Sequence, residues 1–160
     1  MNFANLKMTA LINAFSAFKL PLLAFITPTV VELTENRSVV KVRLGMRTRN
    51  HLNVMYFGAL AMGAELSVAL KAVETISASK KKIDFLFKDF ECQFLKRADG
   101  HVHFVCDTAA DVADLIHRAG EDFERHEQKY SGYAFVPSKG EEPVMKYSIT
   151  LSVKQRKPKS

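Results

Sequence analysis

Glu65 is the only charged residue in the seventeen-residue run Val54–Leu70, where alanine, leucine and methionine dominate. A carboxyl group in such company loses hydration. Desolvation raises its pKa toward the range where it can take a proton from water at neutral pH. Tyr56, Phe57 and Gly58 stand about two turns earlier in the same run. A helix that begins there presents unpaired backbone N–H groups and the positive end of its dipole. The N–H groups of Phe57 and Gly58 can meet a developing oxyanion, and one such donor is commonly worth about 3 kcal/mol in the transition state. A base and oxyanion donors together suit attack on a carbonyl carbon. Two plainer readings stay open. Glu65 is a buried acid paired with an arginine such as Arg43 or Arg47, and Asn50 is a turn or N-cap residue.

Other chemistry has little support. His101 and His103 alternate onto one strand face, but no third ligand is near in sequence, so no metal site is expected. No Gly-x-Ser-x-Gly elbow is present, which argues against a serine-hydrolase triad. Cys92 and Cys106 are the only cysteines and are far apart, so neither a disulfide framework nor structural zinc is indicated. The net charge of +6 and pI of about 9.4 favour anionic partners in general. No motif interleaves aromatics with the lysines, so nucleic acid is not expected.

The elements that must place these residues follow from periodicity. Residues 3–19 read as an amphipathic helix with Leu11, Phe15 and Phe18 on one face, ended by Pro21. Its uncharged runs, Met8–Phe18 and Leu20–Val31, are too short for a membrane span. Thr29–Leu33 is a short strand. Val40, Val42, Leu44 and Met46 alternate with Lys41, Arg43 and Arg47 as a half-buried strand. After a polar loop comes the apolar run, a helix buried on all sides. Lys80–Lys82 precede a long strand, 83–94, whose apolar phase flips at Lys88-Asp89 and predicts a bulge. Ala98-Asp99-Gly100 reads as a hairpin turn into strand 102–106. Thr108 opens a surface helix over 109–129. Tyr133–Val136 is a short strand, and Met145–Lys154 is the cleanest alternation in the chain. This order predicts an α+β fold. About six mainly antiparallel strands curl around one central apolar helix, with an N-terminal helix and one extra surface helix. A second copy would help to cover the central helix.

A sheet wrapped around one apolar helix resembles the hotdog fold. The segment Asn50–Glu65 resembles acyl-CoA thioesterases of the phenylacetate-pathway type. These carry Asn, then Gly, then His-Gly-Gly opening the central helix, then an acid seven residues after the last Gly. Asn50, Gly58 and Glu65 match. Asn53 stands at the family's Gly, and Tyr56-Phe57 replaces His-Gly. The late extra helix looks more like a divergent thioesterase-like subgroup of the DUF4442 type. The resemblance implies thioester hydrolysis, with Glu65 activating water or attacking directly. Asn50 of the partner subunit would hold water or carbonyl, and Tyr56 would donate in place of His. Arg47, Arg49, Lys80, Lys81 and Lys82 would meet the phosphates of coenzyme A or an acidic acyl carrier protein. The alternatives are a non-catalytic acyl- or lipid-binding module and, less well matched, a dehydratase. The expectation is one hotdog domain over 1–160, with an N-terminal helix and lead-in over 1–28 and a basic tail over 154–160. It would be a cytoplasmic homodimer or dimer of dimers, with no cofactor and no membrane partner.

Overall fold

A computed structural model describes residues 3–157. The end of the basic tail, 158–160, lies outside the described residues. The order is α1 (Phe3–Lys19), α2 (Pro21–Phe25), β1 (Thr29–Leu33), β2 (Ser38–Val42), α3 (Phe57–Ser79), β3 (Ile83–Phe94), β4 (Val102–Cys106), α4 (Ala109–Ala119), β5 (Arg125–Phe135) and β6 (Pro143–Gln155). The six strands form one sheet in the order β1-β2-β4-β5-β6-β3. Every neighbouring pair is antiparallel. The sheet packs on α3, as the hotdog resemblance implies.

The α3 helix owes its place to small residues. Ala59, Ala64, Val68, Leu70 and Ala72 are fully buried. Gly63 lies so close to the Phe104 ring of β4 that an added Cβ would overlap it. One buried polar link ties the helix to the sheet. The Tyr147 hydroxyl donates to the Val105 carbonyl at 2.9 Å, and its oxygen lies 2.7 Å from the Ser67 hydroxyl. Such a link satisfies groups whose burial would otherwise cost stability. The C-terminal half of α3 packs against α4 through Val68, Ala72, Val112, Leu115 and Ile116.

Several expectations hold. The N-terminal helix spans the expected residues, β1 is where its branched residues place it, and β3 breaks register between Phe87 and Asp89. Others need correction. Of the expected α1 face, Phe18 points outward, and Leu11 and Phe15 stand partly exposed on the flank toward β3. The helix packs instead through Met8 and Ile12, with Ser16 buried one turn further along. Its polar side chains reach the margin of β1. Asn5 donates to the Val31 carbonyl at 2.7 Å, Thr9 accepts from the Val30 N–H at 2.9 Å, and Asn13 donates to the Pro28 carbonyl at 3.0 Å. Pro21 does stop α1, but it also opens α2 at a position where its missing N–H costs nothing.

The strand read through Met46 ends at Val42. The backbone then turns, held by Thr48, whose hydroxyl donates to the Arg43 carbonyl at 2.6 Å and accepts from the Gly45 N–H at 3.0 Å. The helix read to Leu70 runs on to Ser79. The turn at 98–100 does not make a hairpin. Strand β3 leaves for the far edge to pair with β6, while β4 pairs with β2 and β5. Ala98 instead accepts the Met55 N–H at 2.9 Å, so the turn braces the start of α3. The extra helix ends at Ala119, not Lys129. Residues 125–129 have helical propensity but pair with Lys154–Thr150 of the long β6, an instance of tertiary pairing overriding local preference.

Candidate active site

The start of α3 is held by backbone. Tyr56 N–H donates to the Thr48 carbonyl at 2.7 Å, and Arg49 and Met55 form an isolated bridge. The helix has no side-chain cap at Tyr56, so the first amides are not taken up by a side chain. Asn53 adopts φ of 59°, the left-handed conformation that Gly takes without strain and Asn tolerates. Its Oδ1 accepts from Arg49 at 3.0 Å. The Asn-for-Gly departure is thus accommodated by the backbone.

Asn50 orders this loop. Its Oδ1 accepts the N–H groups of Leu52 at 2.9 Å and Val54 at 3.3 Å. This is the turn role that the sequence left open beside the catalytic one. Tyr56 and Phe57 are exposed, with ring centroids 4.8 Å apart. The Tyr56 ring leans over Gly58, where an added Cβ would meet it.

Glu65 is half-buried, and burial pushes its carboxyl above the usual carboxylate range. Among the described residues it has no hydrogen-bond or ion-pair partner. The Arg43 or Arg47 pairing is therefore not made, and Arg47 lies over the Phe25 ring at 5.3 Å. The carboxyl faces a groove of about 970 Å³ between α1, α3 and β3. Leu11, Phe15, Met62, Phe85, Phe87 and Phe90 give its walls their apolar character. The β3 alternation signals burial but does not say against what.

The remaining candidates are spread along α3. At 1.5 Å per residue, Glu65 lies about 12 Å from Phe57 and Lys80 about 22 Å beyond Glu65. Within one chain, then, the helix-start amides and the carboxyl do not face one reacting atom. Arg47 and Arg49 stand in the loop that leads to the helix start. Lys80 closes the other end in the left-handed conformation, φ 56°. Lys81 donates to the Gly120 carbonyl at 2.5 Å, and Lys82 is exposed. The structure does not bring the lysines and arginines together. His101 Nδ1 accepts the Leu44 N–H at 3.1 Å, and His103 stacks edge-on to Phe135. Among the described residues no three His, Cys, Asp or Glu side chains gather as a metal site.

A model of the family described as a domain of unknown function, DUF4442, matches residues 8–153. No curated protein matches the chain. Solved structures do. A proposed thioesterase of Shewanella oneidensis superimposes with a TM-score of 0.75 at 10% identity, covering 91% of this chain and 96% of that one. A protein of unknown function from Chlorobaculum tepidum gives 0.79 at 9% identity, covering 95% and 97%. A thioesterase of Haemophilus influenzae gives 0.65 at 12%, covering 90% and 88%. At these identities the likeness is one of fold.

Proposed function

The chain belongs to the DUF4442 family, and on that premise we propose that it is an acyl-thioester hydrolase that works as a homodimer. The observation that carries this reading is the Glu65 carboxyl, unpaired and desolvated beside an apolar groove. A structural acid in that position would be expected to hold a cation. A base needs its lone pairs free.

The 12 Å between Glu65 and the amides at the start of its own helix argues for a site shared between two copies. The free edge of β3, next to the groove, is the natural seam. Pairing two such edges would bring the start of one α3 toward the carboxyl of the other. The thioester carbonyl oxygen then accepts from the N–H groups of Phe57 and Gly58. Glu65 takes a proton from water, and the water oxygen attacks the carbonyl carbon. The carbon–sulfur bond breaks, and Glu65 returns the proton to the leaving sulfur. The products are a carboxylic acid and a thiol. The acyl chain lies along Leu11, Phe15, Met62, Phe85 and Phe87. Arg47 and Arg49, beside the helix start, suit the phosphates of coenzyme A or of an acyl carrier protein. Asn50 acts by shaping the loop that presents those amides.

The likeness in fold to the Shewanella and Haemophilus proteins, both described as thioesterases, supports a thioesterase-like reading. A panel of acyl-CoAs with a thiol-trapping dye tests it. Turnover by the native chain that Glu65→Gln abolishes, with acyl-CoA binding retained, is the expected result. Equal residual rates in both would sink the enzyme. Light scattering should return twice 18.0 kDa; a monomer at micromolar concentration contradicts the shared site. The Tyr56 ring over Gly58 favours a second reading, an acyl-binding module without turnover. Binding by the native chain with no thiol release from any acyl-CoA would select it.

A further inference from the structure

The first 64 residues hold seven lysines and arginines but only two acids, Glu32 and Glu35. The other 96 residues are nearly balanced. The excess positive charge therefore belongs to α1, the turn at Arg37, β2 and the loop that follows. The same stretch of chain exposes large apolar side chains: Phe3 at 68%, Phe18 at 87%, Leu22 at 67% and Met46 at 84%. On α1, Phe3, Lys7 and Phe18 fall within about 60° of one another around the axis, while Leu11 and Phe15 turn from them toward the groove. The first three make the outward face. Cations and rings interleave along it. The Lys7 ammonium lies 4.5 Å over the Phe3 ring, and the Arg47 guanidinium lies over Phe25, joining α2 to the loop that carries Met46. A soluble domain rarely exposes a patch of this size without an occupant.

We propose that α1, α2 and the 43–49 loop form a docking face for an anionic membrane surface. On it α1 lies in the headgroup plane with its aromatic side chains below. An interfacial helix needs such rings and leucines on one face with lysine or arginine beside them. Each basic side chain near an anionic leaflet strengthens binding about fivefold. The other available occupant is a second copy of this chain. Pairing the face with itself would set basic side chains against basic ones, and there is no acid before Glu32 or between Asn36 and Ala64 to offset them. Lipid phosphates supply the missing charge. No helix among the described residues is long and apolar enough to cross a membrane. The expectation of no membrane partner rested on span length alone and did not weigh this outward face. The proposal stands whatever chemistry Glu65 performs.

Sedimentation of the full chain with phosphatidylcholine vesicles, with and without 30 mol% phosphatidylglycerol, tests it. The anionic vesicles should bind at least about tenfold more protein, and 0.5 M salt should remove most of that gain. The double variant Lys7→Gln with Arg47→Gln should lose about 25-fold in partitioning. Phe18→Ser with Leu22→Ser should lose about tenfold with an unchanged circular dichroism spectrum. If that variant fails to fold, the charge pair and the salt titration still decide. Equal binding to both vesicles, or native-like binding by the charge variant, overturns the proposal. So does a fall in oligomer mass on Phe18→Ser with Leu22→Ser, since a second copy would then own the face.

Discussion

Replacing Glu65 by Gln should stabilise the protein while it removes the proposed chemistry. The carboxyl is desolvated and unpaired, so its ionised form is less comfortable in the folded chain than in the unfolded one. Its folded pKa lies above the ordinary value of 4.5. Between those two values the native state binds more protons than the unfolded state, and stability falls as pH rises. Each unit of separation corresponds to 1.36 kcal/mol. Independently, a buried polar group without a partner costs about 1–3 kcal/mol and a charged one more, so a gain of about 1 kcal/mol on replacing carboxylate by amide is expected. For a chain of this size that is about 2–4 °C in Tm. Thermal unfolding of both proteins should therefore coincide below about pH 4. The Gln variant should pull ahead as pH rises and hold a constant lead at neutral pH. A Gln variant that melts lower than the native protein at pH 7 would refute the reasoning, because it would mean that the carboxylate holds a stabilising partner. A gain in stability together with loss of thiol release is the expected signature of a group kept for chemistry.

Gly63→Ala should lower stability by about 2 kcal/mol, since overpacking against Phe104 costs about 3 and better helix propensity returns about 1; denaturant unfolding reads the shift. Gly58→Ala is the control: its only close neighbour is the exposed Tyr56 ring, which can swing away, so the melting temperature should stay within about 2 °C. Tyr147→Phe should cost about 2 kcal/mol, because the Val105 carbonyl loses its buried donor. His103 should titrate below its ordinary 6.5 by NMR, held down by burial, Lys41 and His101. Because its folded pKa is depressed, its contribution to stability should fade as the medium is acidified from neutral.

Glu65 was legible because a lone charge in an apolar run has few structural uses, and the spacing Asn50, Gly58, Glu65 carried the fold. The strand alternations at 83–94 and 145–154 were equally plain, including the phase flip at Lys88-Asp89. What the chain hid was partnership. Nothing near Ala98-Asp99-Gly100 says that β3 and β4 separate, since the turn chemistry is that of a hairpin and the pairing is decided by β6 far downstream. Residues 121–129 carry no strand alternation strong enough to compete with a continuing helix, yet β6 is long enough to recruit them. For α1 the periodicity was right and the direction wrong. Its polar Asn5, Thr9 and Asn13 satisfy backbone groups of the sheet, so the greasier side is left facing away from the core.

Those three side chains also set a limit on assembly. They seal the β1 margin of the sheet with hydrogen bonds from a helix, and β3 remains as the single unsealed margin. A ribbon grows without end only when each unit offers two adhesive sides. A unit with one can join a twin about a two-fold axis and is then finished. The asparagines and threonine of the leading helix thus act as a stop against fibre growth, and cutting that helix away would restore the second adhesive side.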